Sequence, residues 1–90
     1  MRPKIRTSPV YSLTVTEGKE ARLYCKVVKG DDGIKLKWRH AGKELLSQSE
    51  GILVLEIVTR HMSGVYDCVA EDASGLELIR RNVHLNVECK

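Results

Sequence analysis

The chain has 90 residues, of which 42% are hydrophobic and 30% are charged, and its formal net charge is +3. These values describe one small globular domain and exclude a globally basic protein and a low-complexity chain. No apolar run approaches the roughly 20 residues of a membrane span, and the start Met1-Arg2-Pro3-Lys4 lacks the apolar stretch of a signal peptide. We therefore expect an excised domain with an added start methionine and no direct membrane insertion in this fragment.

Short segments of alternating apolar residues, separated by turn residues, predict antiparallel β-strands along the whole chain. Three strands are expected in the first half, with the inward residues Leu13 and Val15, then Ala21, Leu23, Cys25 and Val27, then Ile34, Leu36 and Trp38. The turns that follow them are Glu17-Gly18, Gly30-Asp31-Asp32-Gly33 and Ala41-Gly42. Glycine and aspartate favour these turns because they tolerate positive φ angles.

Three more strands are expected in the second half, with the inward residues Leu53, Leu55 and Ile57, then Tyr66, Cys68 and Ala70, then Val83, Leu85 and Val87. Val58 is predicted to close the core beneath the corner that leads into the second of these strands. Ser74-Gly75 is predicted to form the hairpin between the last two strands. Because the alternation is poor between this hairpin and Val83, we expect a β-bulge there.

The spacing of two cysteines, one tryptophan and one tyrosine is the most specific pattern. Cys25 lies thirteen residues before Trp38, Cys68 lies thirty residues after it, and Tyr66 lies two residues before Cys68. The pattern extends over Leu53-x-Leu55-x-x-Val58-x-x-x-Met62-x-Gly64-x-Tyr66-x-Cys68, and it is flanked by Val15-Thr16-Glu17-Gly18 and Ala70-Glu71-Asp72-Ala73-Ser74-Gly75. With these residues the chain resembles the immunoglobulin superfamily, most closely its intermediate set, the I-set, over nearly its whole length.

The resemblance implies an all-β fold, an immunoglobulin-like two-sheet antiparallel β-sandwich with Greek-key connections. It also implies a disulfide between Cys25 and Cys68 that joins the two sheets across about 10 Å of core, with Trp38 and Tyr66 pinning the core beside it. Such a bridge closes a loop of 43 residue steps. Loop entropy then gives about 4 kcal/mol of stabilisation.

The chain departs from the family pattern in two places. Met62 stands where the family usually has an aspartate, so we expect a hydrophobic contact in place of the hydrogen bond or ion pair that the aspartate makes. Only fifteen residues separate Trp38 from Leu53. The C′/D region of the family is therefore shortened here, and one of those two strands is expected to be vestigial.

The chain has no motif for catalysis or metal binding. His40, His61 and His84 lie about twenty residues apart, without the spacing of a zinc motif, and we interpret them as surface residues. The cysteines show no C-x-x-C spacing. We expect no enzyme activity, no cofactor, no metal and no nucleic-acid partner, so any function is expected to lie on the surface.

Three basic residues are predicted to share the outward side of one strand, and we call them the basic stripe: Lys35, Lys37 and Arg39. Two more basic residues are expected beside the stripe from the last strand, Arg80 and Arg81. Two acidic residues are expected between them and would partly neutralise them, Asp67 and Glu71. Two interpretations stay open: an ordinary solvated sheet face, or a site for an acidic protein or a sulfated glycan.

Apolar residues are also predicted at outward positions, namely Ile52, Val54, Val65 and Val69. At an open sheet edge, Ile52 and Val54 would lie where another chain could pair. The alternative is that the methylene stems of Arg22 and Lys26 cover them.

Cys89 is left without a partner once Cys25 and Cys68 pair. Three interpretations stay open for it: an intermolecular bridge that makes a homodimer, a bridge to a segment outside this fragment, and an inert thiol. We expect residues 1–8 to be a lead-in that can fray, residues 9–88 to be a single immunoglobulin-like domain, and residues 89–90 to be its C-terminal end.

The hypothesis that follows is a non-catalytic protein–protein recognition module of a larger cell-surface or secreted protein, acting in adhesion, as a receptor or in ligand binding. A disulfide indicates an oxidising, extracellular compartment. The alternative is an intracellular structural domain of a muscle or cytoskeletal protein, in the cytoplasm or sarcomere, whose cysteines stay reduced as small hydrophobic residues. A second alternative is binding of a heparan-sulfate-type glycan by the basic stripe.

Overall fold

A computed structural model describes residues 3–45 and 50–90 of the chain. Within these residues it contains eight β-strands: β1 Lys4–Ser8, β2 Ser12–Thr16, β3 Ala21–Lys29, β4 Lys35–His40, β5 Lys43–Leu45, β6 Ile52–Leu55, β7 Gly64–Glu71 and β8 Glu77–Glu88. A single turn of 3₁₀-helix, Arg60–Met62, precedes β7. None of the described residues belongs to a helix long and apolar enough to cross a membrane.

The strands form two sheets, which confirms the predicted β-sandwich. One sheet has three strands in the order β1-β3-β6, and the other has five strands in the order β2-β8-β7-β4-β5. All neighbours are antiparallel except β2 and β8, which are parallel. The parallel pair arises because the chain leaves the first sheet after β1 and joins the second sheet as β2.

The expected lead-in is part of the sandwich. Ile5 and Thr7 of β1 are buried, and the strand pairs with β3 so that Thr7 lies opposite Cys25 and Ile5 opposite Val27. The alternation Ile-x-Thr places every second side chain on the core face of the pleated strand. Residues 4–8 therefore contribute to the core.

The core lies between the sheets around Trp38, which is fully buried. The structure bridges Cys25 of β3 to Cys68 of β7, so the disulfide links the two sheets, with a Cα–Cα distance of 6.5 Å. The indole Nε1 donates a hydrogen bond of 3.0 Å to the carbonyl oxygen of Gly51. The other large side chains with no measurable exposure are Leu23, Val58, Val83 and Leu85.

Ile57 was predicted to face the core, and this prediction is wrong: the side chain is 68% exposed. Strand β6 ends at Leu55, and the chain bends at residues 56–57, which resets the alternation on which the prediction depended. Val58 then enters the core as predicted, and its main-chain N–H donates to the carbonyl of Lys19.

The corner before β7 is closed by Tyr66. Its hydroxyl donates a hydrogen bond of 2.6 Å to the carbonyl oxygen of Met62. The Met62 side chain packs against the core, which confirms the hydrophobic contact expected in place of the family's aspartate. Burial raises the pKa of Tyr66 above its ordinary value of 10.0.

Replacing Tyr66 with phenylalanine should lower the free energy of unfolding by about 1 kcal/mol, because the carbonyl of Met62 loses its donor. Since the folded-state pKa of Tyr66 is raised, its contribution to stability is complete below the unfolded pKa and is lost as the pH rises through the folded pKa. Urea unfolding at neutral pH and above about pH 10 should therefore show an alkaline loss of stability that shrinks in Tyr66→Phe. Tyr11→Phe, at an exposed tyrosine, is the control, and equal alkaline losses in the two variants would contradict the assignment.

Strands β4 and β5 form a hairpin whose turn contains Ala41 at φ +52° and Gly42 at φ +78°. Strand β5 has only three residues, and no strand follows it before β6 in the described part of the chain. The predicted vestigial C′ or D strand depends in part on residues 46–49, which lie outside the described residues.

Replacing Ala41 with asparagine should raise the free energy of unfolding by about 0.5–1 kcal/mol. An alanine in the left-handed region is strained by its Cβ, whereas Asn-Gly is the preferred pair for a hairpin turn with two positive φ angles. Thermal unfolding would measure the gain. Ala73→Asn, at an exposed turn residue without a positive φ, is the control, and an equal gain there would show that the turn geometry is not the cause.

The hairpin between β7 and β8 is held by Asp72. Its carboxylate accepts hydrogen bonds from the Ser74 hydroxyl at 2.6 Å and from the main-chain N–H groups of Ser74 and Leu76. The hydrogen bond from the Ser74 hydroxyl is the main cause that lowers the pKa of Asp72. The predicted bulge is present, because Ala70 pairs with Ile79 whereas Glu71 pairs with Glu77, which leaves one extra residue on β8.

Candidate functional site

The three histidines do not form a chemical site. His40 stacks on Tyr66 with ring centroids 4.0 Å apart, and its Nδ1 lies 2.9 Å from the carbonyl oxygen of Val65. His61 and His84 are exposed. Within residues 3–45 and 50–90, no cluster of histidine, cysteine or acidic side chains could hold a metal ion.

The basic stripe lies on the outer face of the five-stranded sheet, and acidic side chains compensate its central residue, Lys37, whereas Lys35 and Arg39 form no ion pair with any of the described residues. Lys37 forms ion pairs with Glu71 at 2.7 Å and with Glu44 at 3.4 Å. Hydrogen bonding to Glu71 is the main cause that raises the pKa of Lys37. Arg39 donates a hydrogen bond to the carbonyl of Gly42.

Arg80 lies on the same face and is also compensated. Its guanidinium contacts Asp67 at 3.3 Å and Glu77 at 2.6 Å, and the hydrogen bond with Glu77 raises the pKa of Arg80 and lowers that of Glu77. Asn82 donates a further hydrogen bond of 2.7 Å to Asp67. The face is therefore an alternating network of opposite charges.

Arg81 was expected beside the basic stripe, and the structure places it elsewhere. In β8 the inward residues are Val83 and Leu85. Arg81 precedes Val83 by two residues and so points to the same side of the strand, whereas Arg80 points to the other side. Arg81 lies at the rim of the sandwich, near β1, and is exposed. The two neighbouring arginines therefore lie on different surfaces, because successive side chains of a strand point to opposite faces.

Val69 lies on the outward face of β7, as predicted, but its side chain is only 1% exposed. Its register partners on the neighbouring strands are Lys37 and Arg80. Long basic side chains lay their methylene stems over apolar surface while the charged ends stay in water, which accounts for the burial. Val65 is exposed, as predicted.

The outward residues of β6 are partly covered. Val54 lies opposite Arg22, as one interpretation expected, whereas Ile52 lies opposite Tyr24 and not Lys26. Lys26 lies opposite Arg6 of β1. Ile52 and Val54 are both half-buried, so they do not form an exposed apolar patch.

An open cleft of about 660 Å³ lies between β1 and β8. We call it the β1–β8 cleft. Three strongly exposed apolar side chains line it: Val10 at 56%, Tyr11 at 83% and Val28 at 47%. Three cationic side chains border it: Lys4, Arg6 and Arg81. No acidic side chain lines it among the described residues.

The charge around the β1–β8 cleft is not compensated. Arg6 lies directly opposite Lys26, and Lys4 lies opposite Lys29. Like charges in opposite cross-strand positions repel each other. In the part of the chain that the structure describes, none of these four side chains forms an ion pair, and neither does Arg81.

Sequence reasoning missed this cleft. The alternation Lys4-x-Arg6 was a signal for outward basic residues on a strand, but residues 1–8 were interpreted as a lead-in. The meeting of Arg6 with Lys26 depends on strand register, and the meeting of Arg6 with Arg81 in one cleft depends on the way the two sheets pack. The pattern along one strand does not contain that information.

The cysteines occupy two environments. Cys25 and Cys68 are joined in the core, and Cys89 is a free, exposed thiol after the end of β8. Neither its intermolecular bridge nor its bridge to another segment is tested by this single chain, so both stay predictions.

Two β-sheets joined by a buried disulfide beside a buried tryptophan, with a tyrosine closing the corner before the second cysteine, define an immunoglobulin-like sandwich domain. Comparison with protein families agrees, because the family described as "Immunoglobulin domain" matches residues 2–72. The chain belongs to this immunoglobulin domain family.

Known proteins similar to this chain come from different settings. A region of the striated muscle preferentially expressed protein kinase of Danio rerio is 37% identical over 76 residues, which covers 74% of this chain and 2% of that protein. An immunoglobulin domain in the crystal structure of the titin M10–obscurin-like 1 complex has a TM-score of 0.78 at 23% identity and covers 99% of this chain and 96% of that one. The structure of extracellular domains 3–5 of Drosophila OTK has a TM-score of 0.81 at 22% identity, and the match covers 97% of this chain and 32% of that one. The chain thus spans about one-fiftieth of the muscle kinase relative.

Proposed function

We propose that this domain is a non-catalytic protein–protein recognition module of a larger protein and that it binds its partner through the β1–β8 cleft. The observation that carries the proposal is the cluster of Val10, Tyr11 and Val28, which are exposed in one cleft that uncompensated cations also line. Exposed apolar groups with a polar rim are typical of protein-binding surfaces. Tyrosine and arginine are enriched at the residues that dominate binding energy.

The contrast with the basic stripe supports the choice of surface. On the outer face of the five-stranded sheet, Lys37 and Arg80 already pair with acidic side chains, so a partner would have to break those contacts to bind these two cations. The β1–β8 cleft presents charges that no side chain of the described residues pairs. A partner gains more from charges that are free than from charges that are already compensated.

Site-specific photocrosslinking in the natural polypeptide that contains this chain tests the proposal. A benzoylphenylalanine at position 11 should form an adduct with a protein partner, and the adduct should disappear when Arg81→Glu is added. The same probe at Ile57, an exposed apolar residue away from the cleft, is the matched control. Equal adducts from both positions, or none from position 11, would overturn the proposal.

We place the module in a cell-surface or secreted protein. The bridge between Cys25 and Cys68 supports this compartment, because disulfides persist in oxidising surroundings and are rare in the cytosol. The likeness to the extracellular domains of Drosophila OTK concerns the fold alone.

The second candidate is an intracellular structural domain of a muscle or cytoskeletal protein. The observation that favours it is the 37% identity to the striated muscle kinase of Danio rerio. Thiol counting on protein taken from its natural source separates the two candidates. One free thiol after unfolding, from Cys89, supports the extracellular candidate, and three support the intracellular candidate.

Binding of a sulfated glycan by the basic stripe is less supported, because Lys37 already has two acidic partners. A heparin column tests it directly. Elution at no higher salt than from a plain cation exchanger would dispose of this hypothesis, since both columns would then sense only the net charge.

A further inference from the structure

We infer that the β1–β8 cleft receives an extended acidic segment of the partner, which adds as a strand along the open half of β8. This inference rests on the proposed function and adds the binding mode and the chemistry of the partner. It depends on three observations: an unpaired stretch of strand edge, an uncompensated positive charge beside it, and exposed apolar side chains that line the same cleft.

The first observation is that β2 covers only part of β8. The register pairs Ser12 with His84 and Thr16 with Glu88, so residues 77–83 of β8 have no strand partner on that side among the described residues. At the last covered position, the N–H of His84 donates a hydrogen bond of 2.9 Å to the carbonyl of Tyr11. The edge of the five-stranded sheet is therefore open next to the cleft.

Strand geometry identifies the free main-chain groups. The N–H of His84 points to the β2 side, and successive residues alternate, so Arg80 and Asn82 direct their N–H and C=O groups to the same side. One of these groups is covered locally, because Nη1 of Arg81 lies 3.3 Å from the carbonyl oxygen of Arg80. This contact comes from an exposed side chain that an incoming strand can displace.

Open strand edges accept additional strands, and recognition through them combines main-chain hydrogen bonds with pockets for alternate side chains. The cleft offers apolar surface to one of the two alternating sets of side chains of the partner segment. Tyr11 and Val28 are exposed there, so an apolar residue at every second position of the segment would meet apolar surface.

The positive charge at the cleft favours acidic residues in the other alternating set of side chains of the partner segment. Lys4, Arg6 and Arg81 border the cleft without an acidic neighbour in the described lining, and Arg6 also faces Lys26. Glutamate or aspartate at the remaining positions would relieve this repulsion. A sulfated glycan would meet the cations, but it offers neither main-chain donors for an open strand edge nor apolar groups for Tyr11. We therefore favour a peptide segment over a glycan.

Titration of the ¹⁵N-labelled 90-residue chain with the peptide acetyl-(Glu-Val)₄-amide tests the inference by NMR. We expect amide shifts concentrated at residues 78–83 of β8 and in β1, with an affinity that falls as salt is raised. The peptide acetyl-(Lys-Val)₄-amide, which keeps the pattern and reverses the charge, should cause no such shifts. No shift with the acidic peptide at millimolar concentration, or equal shifts with both peptides, would overturn the inference.

Two sets of variants separate charge from strand pairing. The double variant Arg6→Glu/Arg81→Glu should weaken binding by about tenfold or more, whereas the matched double change Lys19→Glu/Lys43→Glu, on exposed residues that do not line the cleft, should have little effect. Peptides N-methylated at only the glutamates or only the valines keep their side chains but lose alternate N–H donors. A strand that pairs along one edge tolerates one methylation pattern and not the other, and equal effects of the two patterns would overturn the strand-addition mode.

The remaining outcomes are also decisive. A heparin hexasaccharide that displaces the acidic peptide, binds more tightly and shifts the same amides would make the site a polyanion site and overturn the inference. A concentration-dependent dimer of the chain that Arg81→Glu abolishes would make a second copy the occupant. A position-11 crosslink to a partner, together with failure of the acidic peptide, would leave the proposed function in place and remove only the strand-addition mode.

Discussion

Replacing Gly51 with alanine should be among the most destabilising single changes in this domain, lowering the free energy of unfolding by about 4 kcal/mol or more. Gly51 has φ +83°, and a Cβ at this position would collide with the main-chain carbonyl of Cys25. Main-chain atoms cannot move aside as a flexible side chain can. The backbone would have to shift where the carbonyl of Gly51 accepts hydrogen bonds from Cys25 N–H at 2.7 Å and from the Trp38 indole at 3.0 Å.

The expected loss is large compared with the total stability of a small domain, which is about 5–15 kcal/mol. Urea unfolding followed by Trp38 fluorescence would measure it. Gly33→Ala is a matched control because Gly33 has nearly the same φ, +87°, but open space around its Cβ position. It should cost only the backbone strain, about 1–2 kcal/mol. Equal losses at the two positions would show that the contact with Cys25 does not matter.

Loss of the bridge between Cys25 and Cys68 should lower the free energy of unfolding by about 4 kcal/mol. The bridge closes a loop of 43 residue steps and so restricts the unfolded chain, whose entropy rises when the bridge is removed. The double variant Cys25→Ala/Cys68→Ala, compared with the oxidised protein in urea, measures the effect together with the loss of two buried sulfur atoms. Chemical reduction of the unmodified chain isolates the crosslink itself.

The exposed thiol of Cys89 provides the control for this experiment. Cys89→Ser should leave the stability of the oxidised monomer unchanged, because the side chain is exposed and does not belong to the core cluster. A domain that is equally stable with and without reductant would contradict the loop-entropy argument. It would also remove the main support for an extracellular location.

The fold was predictable because its signals are local and repeated. Cys25, Trp38 and Cys68 were placed in the core from strand alternation and from the spacing that resembles the immunoglobulin superfamily, and the bulge before Val83 was recognised from a break in the alternation. The errors occurred where one element ends or another covers it. Ile57 was misplaced because β6 stops at Leu55, whereas Val69 lies on the predicted outward face but is buried there by side chains on two neighbouring strands.

The candidate site was less predictable than the fold. The basic stripe was visible because Lys35, Lys37 and Arg39 alternate along a single strand, and the partial neutralisation by Asp67 and Glu71 was anticipated. The β1–β8 cleft was not visible, since its cations come from the first and the last strands. Its apolar residues come from the chain crossing after β1 and from β3.

The amino-acid sequence by itself determined the sandwich, the pair of cysteines that joins its layers and the turns at its hairpins. The strands and turns follow from the alternation of side chains along a strand and from the conformational freedom of turn residues, which can be read over a few neighbouring positions, whereas the cysteine pair follows from the resemblance to the immunoglobulin superfamily. Only the tertiary structure decided that Arg80 and Arg81 serve different surfaces and that Lys4 and Arg6 border a cleft with Tyr11. Distant segments meet through strand register and sheet packing, and those depend on the whole chain at once.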